Sequence, residues 1–288
     1  MEDFASQMVN ISTLVFVVTS MLGMGLSFTI KEMIAPLKNA KTTITILIAN
    51  FAIVPFVAVA IACWLPIDRP FQIGLILVAC AAGAPFIPKL AQRAKANVAF
   101  SVGLMALLMI VTVLFLPIVL PLILHGVQVS AWDIARPLLV AMLLPLGFGM
   151  LMKHFLKKRA VRPAKIFSLI STIALVALLI FVLISNSGIM GQVFGTGAIL
   201  AILILLAVSV GVGYLLGGKN KDNRKVIALG TGQRNLAAAM VVALGNFSEP
   251  EVMTMVIAAS LIIVVTLLIV ARLMGRKTKA PKLAKSES

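Results

Sequence analysis

Apolar residues along this chain form long runs, and short stretches of polar and charged residues separate one run from the next. A helix needs about 20 predominantly apolar residues to cross the hydrocarbon core of a bilayer. The pattern therefore predicts an all-α polytopic membrane protein with nine transmembrane helices. Their expected limits are 11–31, 42–64, 69–94, 97–124, 131–155, 164–188, 194–217, 224–246 and 250–274.

Composition agrees with this pattern, because 61% of the 288 residues are hydrophobic and only 12% are charged. Soluble domains contain about 25% charged residues. The connections between predicted spans are short, so we predict a single membrane domain that ends in a basic tail at 275–288. Cys63 and Cys80 lie in or beside apolar runs, and two such cysteines indicate neither a disulfide framework nor a metal site.

The net charge of +16 is explained by where the basic residues lie. They occupy alternate connections and the tail, while the remaining connections are mostly acidic. Cytoplasmic loops carry an excess of Lys and Arg, so we predict an N-terminus outside and a C-terminus in the cytoplasm. We expect a bacterial inner-membrane protein whose partner is the lipid bilayer and not nucleic acid. One basic cluster, between the fifth and sixth spans, comprises Lys153, Lys157, Lys158, Arg159, Arg162 and Lys165.

Two of the predicted spans contain interruptions. The third holds Gly83, Pro85 and Pro88 in close succession. Proline removes a backbone donor and clashes with the preceding turn, so we expect this helix to break near Ala84–Pro88. The eighth span loses its apolar character at 230–235, which read GTGQRN. Interrupted spans in corresponding halves of a chain are the best sequence indication of a transporter's binding site.

Four short motifs carry a resemblance to a known family. They are MLGMGLSF at 21–28, NFAIVP at 50–55, NVAFSV at 97–102 and GTGQRN at 230–235. Together they are similar to motifs of the bile acid:sodium symporter family, and the similarity extends over nearly the whole chain. The resemblance implies two inverted repeats that form a panel domain and a core domain, with two broken helices crossing in the core. The panel would contain spans one, five and six, and the core would contain the other six spans. The resemblance also implies that this chain lacks the first helix of the first repeat, which leaves nine spans instead of ten.

This sequence departs from the family at the positions where the resemblance implies sodium ligands. GTGQRN stands in the place of the signature E-[TV]-G-x-Q-N, so the acidic residue is replaced by Gly230 and the glutamine by Arg234, while Asn235 is kept. Sodium is a hard cation that requires several oxygen ligands. We therefore expect the family's two-site sodium geometry to be lost. The other positions where the resemblance implies sodium ligands hold Ile87, Pro88, Met105, Leu108 and Met109. In the family's QFAIMP-like stretch, the glutamine is replaced by Asn50.

Arg234 is the main candidate for a functional residue. A charged side chain at mid-membrane costs at least ~2.5–3.5 kcal/mol on insertion scales, so such residues usually line a pathway. In one hypothesis Arg234 is a fixed cation in the place of a sodium ion, and its donors also suit a carboxylate or sulfonate. In the other, it caps carbonyl groups of the broken third span or extends towards an interface. The two hypotheses are compatible.

The other candidates are polar or conformationally special residues near the two breaks. The polar ones either bind substrate or satisfy free backbone groups. Lys89 either reaches the inner mouth of the crossing or is an ordinary cytoplasmic lysine beside Arg93 and Lys95. The complete candidate site for substrate or ion comprises Arg234, Gln233, Asn235, Thr231, Gly230, Asn50, Pro88 and Lys89.

We expect no enzymatic activity, no catalytic residues, no metal site and no cofactor, because the sequence has no nucleophile–base pair, carboxylate dyad or Walker A motif in its spans. We predict a secondary transporter of a small organic anion that works by alternating access and without sodium, with Arg234 as a built-in positive charge. Half-helix N-termini at the crossing would present a positive dipole to the anion. The alternatives are a symporter or exporter coupled to Na⁺ or H⁺, including arsenite-type export, and a membrane sensor or scaffold that does not transport.

Overall fold

The structure is a computed structural model, and it describes residues 2–29, 31, 39–124, 130–185 and 195–276. These residues are almost entirely helical, and the one strand-like feature among them is a single bridge between Ala82 and Arg234. The described residues include seven continuous helical segments that are long and apolar enough to cross a membrane, and two of these segments contain a π-helical turn. This confirms an all-α polytopic membrane protein. The count of nine spans and the division into panel and core stay predictions.

The two interrupted spans each consist of two short helices, and two further helices contain a π-helical turn. The helices are α1 (Glu2–Ser27), α2 (Ala40–Ile48), α3 (Val54–Trp64), α4 (Arg69–Cys80), α5 (Ile87–Arg93), α6 (Val98–Ile123), α7 (Ala131–Leu138), α8 (Leu144–Leu156), α9 (Val161–Ser185), α10 (Ala198–Leu216), α11 (Lys221–Gly232), α12 (Leu236–Asn246) and α13 (Pro250–Arg276). The π turns Ala49–Ile53 and Leu139–Leu143 join α2 to α3 and α7 to α8.

The observed helix limits differ from the predicted spans mainly at their ends. Helix α1 begins at Glu2, well before the predicted limit of 11, and ends at Ser27, before the predicted limit of 31. Polar residues at its start are helical without being apolar, so hydropathy alone does not mark this end. The basic tail from residue 277 onward and the last three residues of the predicted span 164–188 lie outside the described residues.

Both π turns are followed by a proline at the second position of the next helix, Pro55 in α3 and Pro145 in α8. Proline cannot donate the backbone hydrogen bond that the preceding turn expects, so the helix ladder must adjust there. In each turn the hydrogen bond spans one more residue than in an α-helix, from the N–H of Val54 to the carbonyl of Ala49 in the first. Asn50 lies in this widened turn and is fully buried.

The helices pack in two groups. In one group α1 packs against α8 and α9 at very short range, since a Cβ atom added at Gly25 would lie 2.3 Å from the carbonyl oxygen of Leu146. In the other group α4 packs against α13, α10 against α11, and α5 against α6. Helix α12 contacts α1 of the first group as well as α13 of the second. The two groups therefore meet at α12, which begins at the second break.

Candidate functional site

The two helix breaks meet in the interior of the protein. Helix α4 ends at Cys80 and α5 begins at Ile87, while α11 ends at Gly232 and α12 begins at Leu236. The extended residues between these helices pair, because Ala82 and Arg234 form an antiparallel bridge. The N–H of Asn235 donates to the carbonyl of Ala81 at 2.9 Å. We call the two extended segments, 81–86 and 233–235, the crossing.

The break predicted in the third span is present, but it begins earlier than the prediction of Ala84–Pro88. Gly83 has a φ of +84°, which favours glycine, and a Cβ atom there would lie 2.2 Å from the backbone nitrogen of Met109. The first segment therefore lies directly against the backbone of α6. Pro88 is not in the break, since it lies in the first turn of α5, where a missing N–H is tolerated.

Thr112 of α6 holds the first segment in place. Its hydroxyl oxygen accepts a hydrogen bond from the N–H of Ala82 at 2.9 Å, and the hydroxyl donates to the carbonyl of Ala82 at 3.0 Å. Both groups of one extended residue are thereby satisfied in a buried place, as the interior of a membrane protein requires. Thr112 is not among the site residues predicted from the sequence. The available signal is that Thr112 is the one polar residue between Ser101 and Leu124.

Arg234 links the ends of the two half-helices that arrive at the crossing. Its side chain is only 3% exposed. The Nη1 atom donates to the carbonyl of Ala79 at 3.2 Å, and Nη2 donates to the carbonyl of Thr231. These carbonyls lie in the last turns of α4 and α11. Among the described residues, Arg234 is the one charged side chain that is buried.

The electrostatics of this arrangement are those of a cation site. A helix C-terminus carries a partial negative charge equivalent to about −0.5 elementary charge, so two converging C-termini offset about one positive charge. The guanidinium of Arg234 supplies that charge. Two of its donor atoms are used by backbone carbonyls, which agrees with the hypothesis of a capping arginine. It also agrees with the hypothesis of a fixed cation, because the charge stays at the crossing.

Asn235 connects the two broken segments with each other and with α12. Its Nδ2 donates to the carbonyl of Gly83 at 3.3 Å, across the crossing. Its Oδ1 accepts from the N–H of Ala238 at 3.2 Å, so Asn235 is also the N-cap of α12. One buried amide thus fixes both the start of α12 and its position against the first break.

Three polar side-chain atoms near the crossing are buried and have no hydrogen-bond partner among the described residues. They are Oδ1 of Asn50, Oε1 of Gln233 and Nε of Arg234. The Nδ2 of Asn50 donates to the carbonyl of Ile46 at 3.0 Å and to Oγ1 of Thr231 at 3.2 Å. The Nε2 of Gln233 donates to the carbonyl of Arg234 at 3.2 Å. Two unpaired hydrogen-bond acceptors and one unpaired donor therefore lie in one buried region, where they are available to a polar ligand.

Hydrocarbon fills the space beside Gly230. A Cβ atom added at Gly230 would lie 2.6 Å from Cδ2 of Leu104 and 3.8 Å from Cδ1 of Ile87. A carboxylate at this position would have to displace the side chain of Leu104, and these two apolar neighbours offer no oxygen ligand to a hard cation. The side chains at four of the positions that correspond to family sodium ligands have no exposed surface and are apolar: Ile87, Met105, Leu108 and Met109.

The structure does not bring every predicted site residue to the crossing. Asn50, Thr231, Gln233 and Asn235 lie with Arg234 as described above. Lys89 is exposed on α5, and its Nζ lies 5.8 Å from the centre of the Phe86 ring. A separate cavity of about 590 Å³ lies between α3, α4 and α6, and its lining does not include any of the predicted site residues.

Comparison with known proteins gives one family and several relatives. A sequence profile described as "Sodium Bile acid symporter family" matches residues 13–195. The chain is 27% identical over 246 residues to the uncharacterized sodium-dependent transporter YocS of Bacillus subtilis (strain 168). The aligned region covers 81% of this chain and 74% of that protein. These matches agree with the resemblance found in the sequence motifs.

Two similar plant proteins are longer. The chain is 27% identical over 242 residues to the probable sodium/metabolite cotransporter BASS2, chloroplastic, of Oryza sativa subsp. japonica, with 81% of this chain and 56% of that protein covered. It is 24% identical over 242 residues to the corresponding BASS1 of Arabidopsis thaliana, with 83% and 60% covered. The chain thus spans less than two thirds of these plant relatives. All three relatives are named as transporters, which confirms the expectation of transport instead of catalysis.

Proposed function

Since this chain belongs to the sodium bile acid symporter family and is a membrane transporter, we propose that it moves a small organic anion without binding sodium at the crossing. The observation that carries the proposal is the position of Arg234, whose guanidinium bonds to the C-terminal carbonyls of both α4 and α11. A covalently held cation occupies the place where two negative helix ends converge. A bound sodium ion would have to share that place with it.

Compared with a neutral side chain at the same position between the two negative helix ends, the charge of Arg234 is large enough to decide ion occupancy. A sodium ion about 4 Å from the guanidinium, at an effective dielectric constant of about 20, would be repelled by about 4 kcal/mol. That energy lowers the occupancy of the ion roughly a thousandfold. The hydrocarbon beside Gly230 acts in the same direction, because Leu104 and Ile87 fill the space of the missing carboxylate.

We place the substrate anion at the start of α12, between the two packing groups. Helix α12 begins two residues after Arg234, so the positive end of its dipole and the guanidinium act on the same region. Helix α12 also contacts α1 and α7. Candidate polar contacts for the anion are Gln233, Thr231 and Asn50 beside Arg234.

Alternating access is proposed to come from movement of one packing group against the other. In this assignment α1, α7, α8 and α9 form the panel and the remaining helices form the core, with nine spans, the N-terminus outside and the C-terminus in the cytoplasm. The close packing of α1 with α8 at Gly25 and Gly149 supports a panel that moves as one body.

A proton gradient is a less favoured driving force. The buried polar side chains of the described residues include no carboxylate and no histidine that could carry a proton. We therefore propose facilitated diffusion of the anion, and coupling to sodium, which the names of the relatives describe for those proteins, is the main alternative.

Uptake into proteoliposomes tests the proposal. Radiolabelled monocarboxylates and sulfonates are offered with sodium, potassium or choline as the only external cation. We expect uptake of the accepted anion to be the same in all three salts, and to be lost in Arg234→Gln but kept in Arg93→Gln, which changes an exposed arginine of α5. Uptake that rises steeply with sodium in the unmodified protein would refute the proposal, and no uptake of any anion would favour the sensor or scaffold.

A further inference from the structure

A second cavity, of about 420 Å³, lies at the ends of three helices, and its lining contains no residue of the crossing. It is bounded by the end of α1, the end of α8 and the beginning of α9, and Lys153, Lys157 and Lys165 line it together with Ser27 and Ser168. We call it the lysine cleft. From its position and chemistry, we propose that the lysine cleft binds the headgroup of an anionic phospholipid.

Two of the three lysines in the lysine cleft have no partner among the described residues. The sequence contains no Asp or Glu between Asp133 and Asp222, so neither α8 nor α9 supplies a carboxylate. Lys157 and Lys165 are exposed and have no hydrogen bond or ion pair with any described residue. An anion would therefore be attracted by the ammonium groups of Lys157 and Lys165 without competition from a carboxylate of α8 or α9.

The backbone positions one of the three lysines. Lys153 donates from Nζ to the carbonyl of Ser27 at 2.7 Å, which holds its ammonium group at the wall of the lysine cleft. Helix α9 begins at Val161, also in the wall, and the positive end of its dipole offsets part of the negative charge of the C-terminal ends of α1 and α8. The hydroxyl of Ser168 is a suitable donor for a phosphate oxygen, whereas that of Ser27 donates to the carbonyl of Gly23 at 2.7 Å.

The surroundings favour a lipid over a soluble anion. Ile166, Leu169 and Ile173 continue along α9 from the lysine cleft and are 57%, 61% and 60% exposed. Such a row of exposed apolar side chains on a membrane-spanning helix contacts acyl chains. A molecule with a phosphate headgroup and hydrocarbon chains fits both surfaces at once. A zwitterionic headgroup would bring its own ammonium group close to the lysines, so the preferred lipid carries a net negative charge.

The test compares a cleft variant with a matched control variant. Lys157→Gln/Lys165→Gln removes two charges from the lysine cleft, and Lys219→Gln/Lys221→Gln removes two exposed charges next to α11. Native mass spectrometry of the full-length protein in neutral detergent measures the binding of dioleoyl phosphatidylglycerol against dioleoyl phosphatidylcholine. Each lysine close to an anionic headgroup contributes about fivefold, so we expect the cleft variant to lose about thirtyfold in preference for phosphatidylglycerol. The control variant should keep it.

Three results would overturn the inference. Equal losses in the cleft and control variants would mean that general surface charge attracts the lipid. Equal binding of phosphatidylcholine by the unmodified protein would remove the preference for an anionic headgroup. Displacement of phosphatidylglycerol by an equal concentration of glycerol 3-phosphate would assign the lysine cleft to a soluble anion. An unchanged melting temperature of the cleft variant shows that it is folded, and none of these results depends on the transported substrate.

Discussion

Replacement of Arg234 by methionine should destabilise the protein strongly, whatever the substrate is. The variant keeps an unbranched side chain with an aliphatic stem but removes the donors to the carbonyls of Ala79 and Thr231. A hydrogen bond to a charged group contributes about 1.5–3 kcal/mol, so two of them account for about 3–6 kcal/mol. The two negative helix ends would also face each other without a cation. Since a protein of this size shifts its melting temperature by about 2–3 °C per kcal/mol, we expect a decrease of about 6–18 °C.

The protein contains a suitable reporter for this measurement. Cys80 is the last residue of α4, next to the crossing, and is fully buried, whereas Cys63 is exposed. In a Cys63→Ser background, a thiol-reactive dye that fluoresces on reaction should therefore respond when the crossing opens on heating. The midpoint of that response in detergent is the quantity to compare between variants.

Two comparisons make the result specific to the buried charge. Arg93→Met makes the same chemical change on an exposed residue of α5 and should leave the midpoint unchanged. Arg234→Lys should lie between the unmodified protein and Arg234→Met, because a single ammonium keeps the charge but lacks the planar fork that reaches two carbonyls. A midpoint of Arg234→Met within about 1 °C of the unmodified protein would refute the reasoning that Arg234 joins the helix ends.

Two further predictions use the same melting assay. Thr112→Val should lower the midpoint, because it leaves the N–H and the carbonyl of Ala82 without a partner at about 1–3 kcal/mol each. The control Thr172→Val changes an exposed threonine and should leave the midpoint unchanged. Equal midpoints of the two variants would show that Thr112 does not hold the first break. The triple change Gly230→Glu, Arg234→Gln and Leu104→Ala should make the midpoint rise with sodium but not with potassium, because it restores the family's carboxylate and amide and clears space for them. If the midpoint of the triple variant does not depend on sodium, other positions are responsible for the loss of the ion site.

The place of the first break illustrates what a sequence can predict about this fold. The cluster of Gly83, Pro85 and Pro88 correctly indicates that the third span is interrupted. Prolines are accepted in the first turn of a helix, so Pro88 marks where a helix resumes and not where the previous one ends. The end at Cys80 is set by the pairing of Ala82 with the other segment, which is a tertiary contact.

The partners of Arg234 show a second limit. Its position in a span makes it a candidate, and capping of the broken third span was one of the two hypotheses. Its hydrogen-bond partners are the backbone carbonyls of Ala79 and Thr231. Since every residue has a backbone carbonyl, the sequence does not show which residues accept these bonds. Thr112 was missed for a related reason, because a lone hydroxyl in an apolar helix usually bonds to its own helix, and only the fold brings it to Ala82.

A cation that is attached to the chain differs from a bound ion in what it can release, since Arg234 cannot leave with the substrate. A cycle that uses it takes no energy from a sodium gradient, so the membrane potential alone sets the final distribution of a charged substrate. A potential of 100 mV corresponds to about 2.3 kcal/mol per elementary charge, or about fiftyfold in concentration. In a cell that is negative inside, a singly charged anion would be fiftyfold more dilute inside at equilibrium, by the same estimate of about 2.3 kcal/mol. Net entry would then require that the cell consume the anion, and a cell that produces the anion would release it through this protein.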